Sequence, residues 1–346
     1  MNEGLNERSR QILEAIIEDY IHTGEPVGSR AITRRHDIGL SPASVRNVMA
    51  DLEELGYLAS PHTSAGRIPT EKGYRFYLNC LLQVRELSRQ ERLWIRQHYQ
   101  RRGLQMEELL REAGRILSTT SSYTGIVMVP KLESSVFRRM EFISLAPRRI
   151  MVVFISQSGM VEHRLIETDM PITEGELQEA ANYLNATFSG LGIQDIKQRI
   201  VIEMAREKAL YDDLLRRAIL LSSKVLEDDL GGQVFIEGTA NILEQPEFSD
   251  INRMKRLLRA FEQKSLLVEL LHQTQQVEGV QIFIGSPSEY SEIEGCSLVT
   301  ASYSSRRGTV GTLGIIGPTR MPYAMVIPLV SYTASLVGSI LDNEAE

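Results

Sequence analysis

Between positions 41 and 47 the chain gathers Ser41, Ala43, Ser44, Arg46 and Asn47 around a proline. Arginine can fork onto guanine, asparagine onto adenine, and an alanine methyl can touch thymine. This set therefore has the chemistry to contact base edges in a major groove, and its small members let a helix approach closely. Ser29, Arg30, Arg34 and Arg35 precede it, with hydroxyl and guanidinium groups suited to phosphate oxygens. A short polar run, His62-Thr63-Ser64-Ala65-Gly66-Arg67, follows. Thr63 and Ser64 could track a phosphate backbone there, and Arg67 could enter a minor groove. Lys72 and Arg75 add positive charge behind that run.

Such groups act only if helices and a turn hold them out. Residues 5–22 read as an amphipathic helix with Leu5, Ile12, Leu13, Ile16, Ile17, Tyr20 and Ile21 on one side, ended by Gly24 and Pro26. A short helix follows over 29–36, then a turn at 37–40 in which Gly39 suits a positive φ. Ser41-Pro42 opens a third helix, serine as N-cap and proline at the first helical position. This helix runs to Leu55 and stops at Gly56. At about 100° per residue, Val45, Val48, Met49, Leu52 and Leu55 share one side. Ala43, Asn47, Ala50 and Glu54 lie opposite, with Ser44 and Arg46 on the flanks. An ordinary solvated helix with a capped start shows the same pattern; the neighbours favour a reading element. Tyr57 to Ala59 reads as a strand, 60–67 as a tight polar loop, and 71–82 as a helix. Helix, helix, turn, helix and hairpin is the order of a winged helix-turn-helix.

The overall charge gives this reading no help. The 346-residue chain carries a formal net charge of −7 and a pI of about 5.6. Residues 1–80 hold nine basic and eleven acidic side chains. The charge is segregated, however, and segregation is what nucleic acid responds to. Residues 28–48 contain four arginines and one aspartate; Glu14, Glu18, Asp19, Asp51, Glu53 and Glu54 are expected to face away from DNA or to sit at the far end of the third helix. Six arginines between 85 and 102 read as a solvated face.

Other chemistry finds little support. The six histidines are scattered without metal-ligand spacing. Gly308, Gly311, Gly314 and Gly317 lack the lysine of a P-loop and sit among alternating residues, which suits tight strand packing. No metal, cofactor or enzymatic activity is expected. Cys80 and Cys296 lack a CxxC spacing and read as buried, reduced thiols, which fits the cytoplasm. No apolar signal core opens the chain. Met321 to Leu341 has no charged residue until Asp342 and is long enough to cross a bilayer. Its prolines, and a serine face at 331, 335 and 339 opposite Val326, Val330, Val337 and Leu341, favour a buried helix and no membrane partner.

Residues 83–118 read as one charged linker helix. Beyond them strands, helices, strands and a last helix alternate, with helices at 173–190, 205–228 and 249–273. This order implies an α+β multidomain fold with a mainly helical insertion. The apolar positions of 205–228 suit either a dimer contact or an internal core.

Several strings resemble the HrcA family of heat-inducible transcription repressors: 25–30 (EPVGSR), 40–49 (LSPASVRNVM), 52–58 (LEELGYL), 62–70 (HTSAGRIPT), 73–77 (GYRFY), 235–238 (FIEG), 245–248 (QPEF) and 314–318 (GIIGP). The resemblance implies a winged helix-turn-helix at 1–82, a linker helix at 83–118, a GAF-like α+β domain at 119–170 plus 249–346, and an inserted dimerisation domain at 171–248. It further implies a homodimer on double-stranded DNA carrying an inverted-repeat operator of the CIRCE type, with the GroEL chaperonin modulating repression. Pro322 and Pro328 depart from the family pattern in the last helix. The alternative is a ligand-sensing winged-helix regulator with a metabolite pocket in the GAF-like domain.

Overall fold

The computed structural model describes residues 5–61, 66–99, 106–129, 136–157, 161–168, 171–193, 195–196, 198–199, 233–275, 279–285, 293–304 and 310–343. Asn6 caps the first helix, α1 (Glu7–Thr23), by accepting from the Ser9 amide at 2.8 Å. Ile12, Leu13, Ile16 and Ile17 of α1 are fully buried against Ile32 of α2 (Ser29–Arg35) and Val45 and Leu52 of α3 (Pro42–Glu54). Each such side chain contributes roughly 1.5–3 kcal/mol of burial free energy. Gly39 between α2 and α3 has φ 65°, as the turn requires. Strands β1 (Leu58–Ala59) and β2 (Ile68–Pro69) pair antiparallel as the wing, and α4 (Glu71–Phe76) runs on through a wider π turn to Leu81. This is the expected winged helix-turn-helix.

The single linker helix expected at 83–118 is two helices. Ser88 caps α5 (Arg89–His98), and Glu91 reaches back to the Ser88 amide, so a new helix starts at that capping box. The second, α6 (Met106–Ser121), is no solvated connector. Leu109, Leu110, Ala113, Ile116 and Leu117 bury one side of it against a sheet, and their apolar period outweighs its charges.

That sheet has five strands in the order β7-β3-β10-β9-β8, all antiparallel neighbours. They are β3 (Thr124–Met128), β7 (Val234–Glu237), β8 (Val280–Ile284), β9 (Cys296–Ser304) and β10 (Val310–Pro318). Successive side chains point to opposite faces. Val127, Val299, Leu313 and Ile315 face α6 and the last helix, α11 (Tyr323–Asn343). Ile126, Met128, Leu298 and Ile316 face α9 (Ile251–Glu262) and α10 (Lys264–Gln275). A Cβ on Gly314 would lie 2.4 Å from the Val299 carbonyl oxygen, so the glycines of β10 serve close strand packing. Helix α8 (Thr239–Leu243) follows β7.

Strands β4 (Phe137–Ala146), β5 (Arg149–Ser156) and β6 (Val161–Glu167) form a separate three-stranded sheet. Helix α7 (Glu174–Phe188) covers its inner face, where Met140, Ile150, Val152, Phe154 and Ile166 meet Leu177, Leu184 and Phe188. The insertion expected at 171–248 thus needs correction at both ends. It starts before β4, which was assigned to the GAF-like domain, and ends before β7, which pairs with β3 in the main sheet. Alternation identifies a strand but not the sheet it joins. The helix expected at 205–228 lies outside the described residues, and the one expected at 249–273 is two, α9 and α10.

α11 is long and apolar enough to cross a membrane by composition. It packs on β9, β10 and α6, with Val326, Leu329, Val330, Val337 and Leu341 buried and Ser331, Ser335 and Ser339 outward. It begins directly after Pro322, whose carbonyl accepts from the Met325 and Val326 amides. Cys296 is buried, which pushes its thiol up to about 12, whereas Cys80, expected inside, is exposed.

Candidate nucleic-acid interface

Ser41 starts α3 in an extended conformation, and its hydroxyl accepts from the Ser44 amide at 3.2 Å and meets the Ser44 hydroxyl at 3.0 Å. The four first amides of any helix lack internal partners, so this cap anchors the leading turn while leaving it at the surface. Val45, Met49 and Leu52 are buried and Val48 is partly so, fixing the rotation of the helix about its axis. The consequence is that Ser41, Ala43, Ser44, Arg46 and Asn47 are all exposed on one continuous leading face. Among the described residues, neither Arg46 nor Asn47 makes an ion pair or a side-chain hydrogen bond, so both are available to a ligand. Leu55, placed by its phase on the buried stripe, is 51% exposed. The helix ends there: the Tyr57 amide folds back to the Leu52 carbonyl at 2.9 Å, and the turn carries Leu55 outward.

The residues expected at the phosphate backbone divide into two groups. Arg30, Arg34 and Arg75 are exposed, and among the described residues none is ion-paired. The others have structural work. Ser29 is buried at the start of α2. Arg35 bonds Asp19 at 3.0 Å, and His36 meets the other oxygen of the same carboxylate at 3.1 Å. Asp19, expected among the acids away from DNA, is a buried tie between α1 and the end of α2. Lys72 donates to the Leu55 carbonyl at 3.0 Å and lies over the Tyr57 ring, capping the far end of α3. Arg67 exchanges backbone hydrogen bonds with Val27 at 2.9 Å and pairs with Glu53 of α3 at 2.7 Å. It holds the wing to α3 instead of projecting from it. Thr63 and Ser64 lie outside the described residues.

The distribution of charge follows from these pairs. Asp19 and Glu53 are both matched by arginines, while among the described residues the exposed Arg30 and Arg34 of α2 and Arg46 of α3 make no ion pair. A locally positive face thus stands on a module whose total is slightly acidic. An exposed helix end with guanidinium and amide groups, flanked by unpaired arginines, can dock in a major groove.

A second concave feature lies away from this face. A cleft of about 390 Å³ between α5, α6 and α11 is lined by Leu87, Trp94, Ile95, Thr119, Thr120 and Leu329, among others. Its size falls within the range of small-molecule sites. Sequence reasoning also passed over Arg320, which joins the winged helix to the main sheet domain; its partners are 73 to 299 residues distant in sequence, and no local pattern reports them.

Residues 4–80 match the model of the winged helix-turn-helix transcription repressor, HrcA DNA-binding, and residues 107–327 match that of the HrcA protein C-terminal domain. The chain is 53% identical over 340 residues to a heat-inducible transcription repressor HrcA of Geobacter sulfurreducens, covering 98% of this chain and 99% of the relative. It is 43% identical over 344 residues to the protein of the same name from Syntrophobacter fumaroxidans, covering 99% of each. A crystal structure described as that of a hypothetical protein superposes with a TM-score of 0.63 at 22% identity, covering 99% of this chain and all of the other, which shows a common fold.

Proposed function

The chain belongs to the HrcA family of heat-inducible transcription repressors, and from that premise we propose that it represses chaperone genes in the cytoplasm by binding an inverted-repeat operator of the CIRCE type as a homodimer. The observation that carries this reading is the leading end of α3, where Ser41, Ala43, Ser44, Arg46 and Asn47 are exposed and, among the described residues, the last two are unpaired. Arg46 and Asn47 contact bases; Arg30, Arg34 and Arg75 contact phosphates. A two-fold operator calls for a two-fold protein.

The insertion offers a surface for that symmetry. On the outer face of its sheet Ile143, Met151 and Leu165 stand in one cross-strand row, with Val153, Ile155 and Val161 beside them. Leu145, Val161 and Leu165 are about half exposed or more (56%, 59% and 49%), an apolar patch of the kind that marks an interface. The domain division follows the sheets: the winged helix at 1–82, a main sheet domain of GAF-like type, and the insertion between β3 and β7. Modulation by the GroEL chaperonin is part of the same proposal. The protein acts as a regulator and not as an enzyme.

A gel shift on an inverted-repeat operator across a salt series tests this. The logarithm of affinity should fall linearly with that of salt, with a slope of about −0.9 per phosphate neutralised. Equal affinity for a scrambled duplex of the same length would overturn the proposal. Adding chaperonin with and without misfolded protein to the same assay tests its role.

The cleft beside Trp94 supports a second reading, in which a small molecule sets the repressor's activity. Trp94 is the chain's one tryptophan. Its fluorescence reports directly on occupancy, and a metabolite extract that leaves it unchanged would count against that reading.

A further inference from the structure

α1 ends at Gly24, and the carbonyls of its last turn need partners. The Tyr20 carbonyl takes the Gly24 amide, and the Asp19 carbonyl takes the Thr23 hydroxyl. The Ile21 carbonyl is bonded from outside the module, by Nη1 of Arg320 at 3.3 Å. The same guanidinium donates through Nε to Glu247, and through Nη2 to Gln245 at 3.4 Å and to the second Glu247 oxygen at 3.3 Å. The Arg320 and Glu247 side chains are only 13% and 21% exposed, so water competes weakly for the pair.

Both partners on the sheet-domain side are held rigidly. Arg320 lies in the turn between β10 and α11, where the Thr319 amide bonds the Gly295 carbonyl at 3.1 Å and the Tyr323 hydroxyl bonds the Thr319 carbonyl at 2.8 Å. The Glu247 carbonyl accepts from Arg253 at 3.2 Å. On the winged-helix side, Tyr74 packs on Tyr323 with ring centroids 6.3 Å apart. The Tyr74 hydroxyl is buried without a hydrogen-bond partner among the described residues. The joint therefore gains little from polar contacts at Tyr74: among the described residues the hydrogen bond that crosses it is the one from Arg320 to the Ile21 carbonyl, made by a guanidinium that Gln245 and Glu247 hold in place from the sheet-domain side. A fork of fixed planar geometry that holds three partners at once sets an angle, which apolar packing alone does poorly.

We propose that Arg320 is a positioning residue for DNA reading: by bonding Ile21, Gln245 and Glu247 together it fixes the angle at which the winged helix leaves the sheet domain, and so the separation of the two reading helices in the dimer. The first part stands on the geometry alone. The second rests on the two-fold reading proposed above.

Two measurements separate these parts. Cys80 is exposed on the winged helix and Cys296 is buried, so a spin label on Cys80 and one on Ser339→Cys, exposed on α11, report the angle as a distance distribution. The unmodified joint should give a narrow distribution. Arg320→Gln and Glu247→Gln should broaden it, and Arg320→Lys, which keeps the charge but loses the fork, should fall between. The same variants are then titrated with a single half-site and with the full repeat at native and one-base-pair-altered spacing. Half-site binding should stay within about twofold, while the advantage of the full repeat, an effective-concentration effect, should fall by about tenfold and become insensitive to spacing. An unchanged distance distribution would overturn the positioning role, as would equal losses on half-site and full repeat. A distribution that broadens, in a protein whose unmodified form shows no preference for the full repeat, would uphold the clasp and sink only the two-fold reading.

Discussion

Arg67, at the base of the wing, places its Nη2 2.7 Å from Oε2 of Glu53, near the end of the reading helix. The two side chains are 25% and 31% exposed, and the pair ties two segments that a DNA-binding hairpin must keep in register.

Glu53→Gln and Arg67→Ala should each destabilise the winged helix by about 0.5–1 kcal/mol, the range of a partly exposed pair. Arg67→Ala should leave sequence preference on operator variants unchanged, because the guanidinium is already occupied. A loss of preference confined to A·T-rich flanks in a gel-shift series would show that Arg67 swings into a minor groove after all.

Arg46→Ala should weaken operator binding by about 1–3 kcal/mol and relax the preference at one base position. Arg30→Ala should weaken matched and scrambled duplexes alike and lower the salt slope by about one unit. Identical behaviour of the two variants would remove the distinction between base and phosphate contacts.

Ser41→Ala deletes the cap of α3 and should cost about 1 kcal/mol of stability, read by denaturant titration. Ser41→Gly should cost only a few tenths. An alanine variant as stable as the parent would mean that the leading turn is held by something other than its cap.

The Glu91 carboxyl is lowered to about 2, first by its hydrogen bonds from Arg85, then by those from Ser88. A depressed carboxylate stabilises the fold fully above the ordinary carboxylate range, and that contribution is lost as pH falls toward 2. The start of α5 should therefore loosen only in strong acid. A carboxyl NMR titration with its midpoint near the usual value of about 4.3 would contradict the capping box.

Leu165→Glu places a charge in the outward apolar row of the insertion, at a site already 49% exposed, so the fold should survive. The expected result is a shift from dimer to monomer in analytical ultracentrifugation, with full-operator affinity falling and half-site binding retained. A dimer that persists would move the interface elsewhere.

The outward face of α3 was legible in the sequence because Val45, Met49 and Leu52 fix its phase, and that phase decides that Arg46 and Asn47 face out. The supporting arginines were not. Arg30, Arg35 and Arg67 are the same residue type and all three are expected at DNA, yet Asp19 claims Arg35 and Glu53 claims Arg67. Those partners are 16 and 14 residues away, and spacing in a single chain does not rank such pairs. The strands of the second half were legible from alternation, but their sheet was not. β6 and β7 both read as short strands, and only hydrogen-bond register sends β7 to β3 and β6 to β5. α6 was misjudged for a related reason: its charges advertised solvent, while the stripe from Leu109 to Leu117 answered to a sheet that had not been located.

β3 leaves the main sheet and β7 returns directly beside it, with Met128 opposite Val234 and the Val129 amide bonded to the Gln233 carbonyl at 2.8 Å. Everything between them is topologically the loop of a hairpin. Excising that loop and closing it with a two-residue turn should therefore yield a shortened protein whose remaining strands keep their order. The junction is also a stalk: any force on the excursion enters the protein at the rungs of one ladder, next to the strand on which α6 rests.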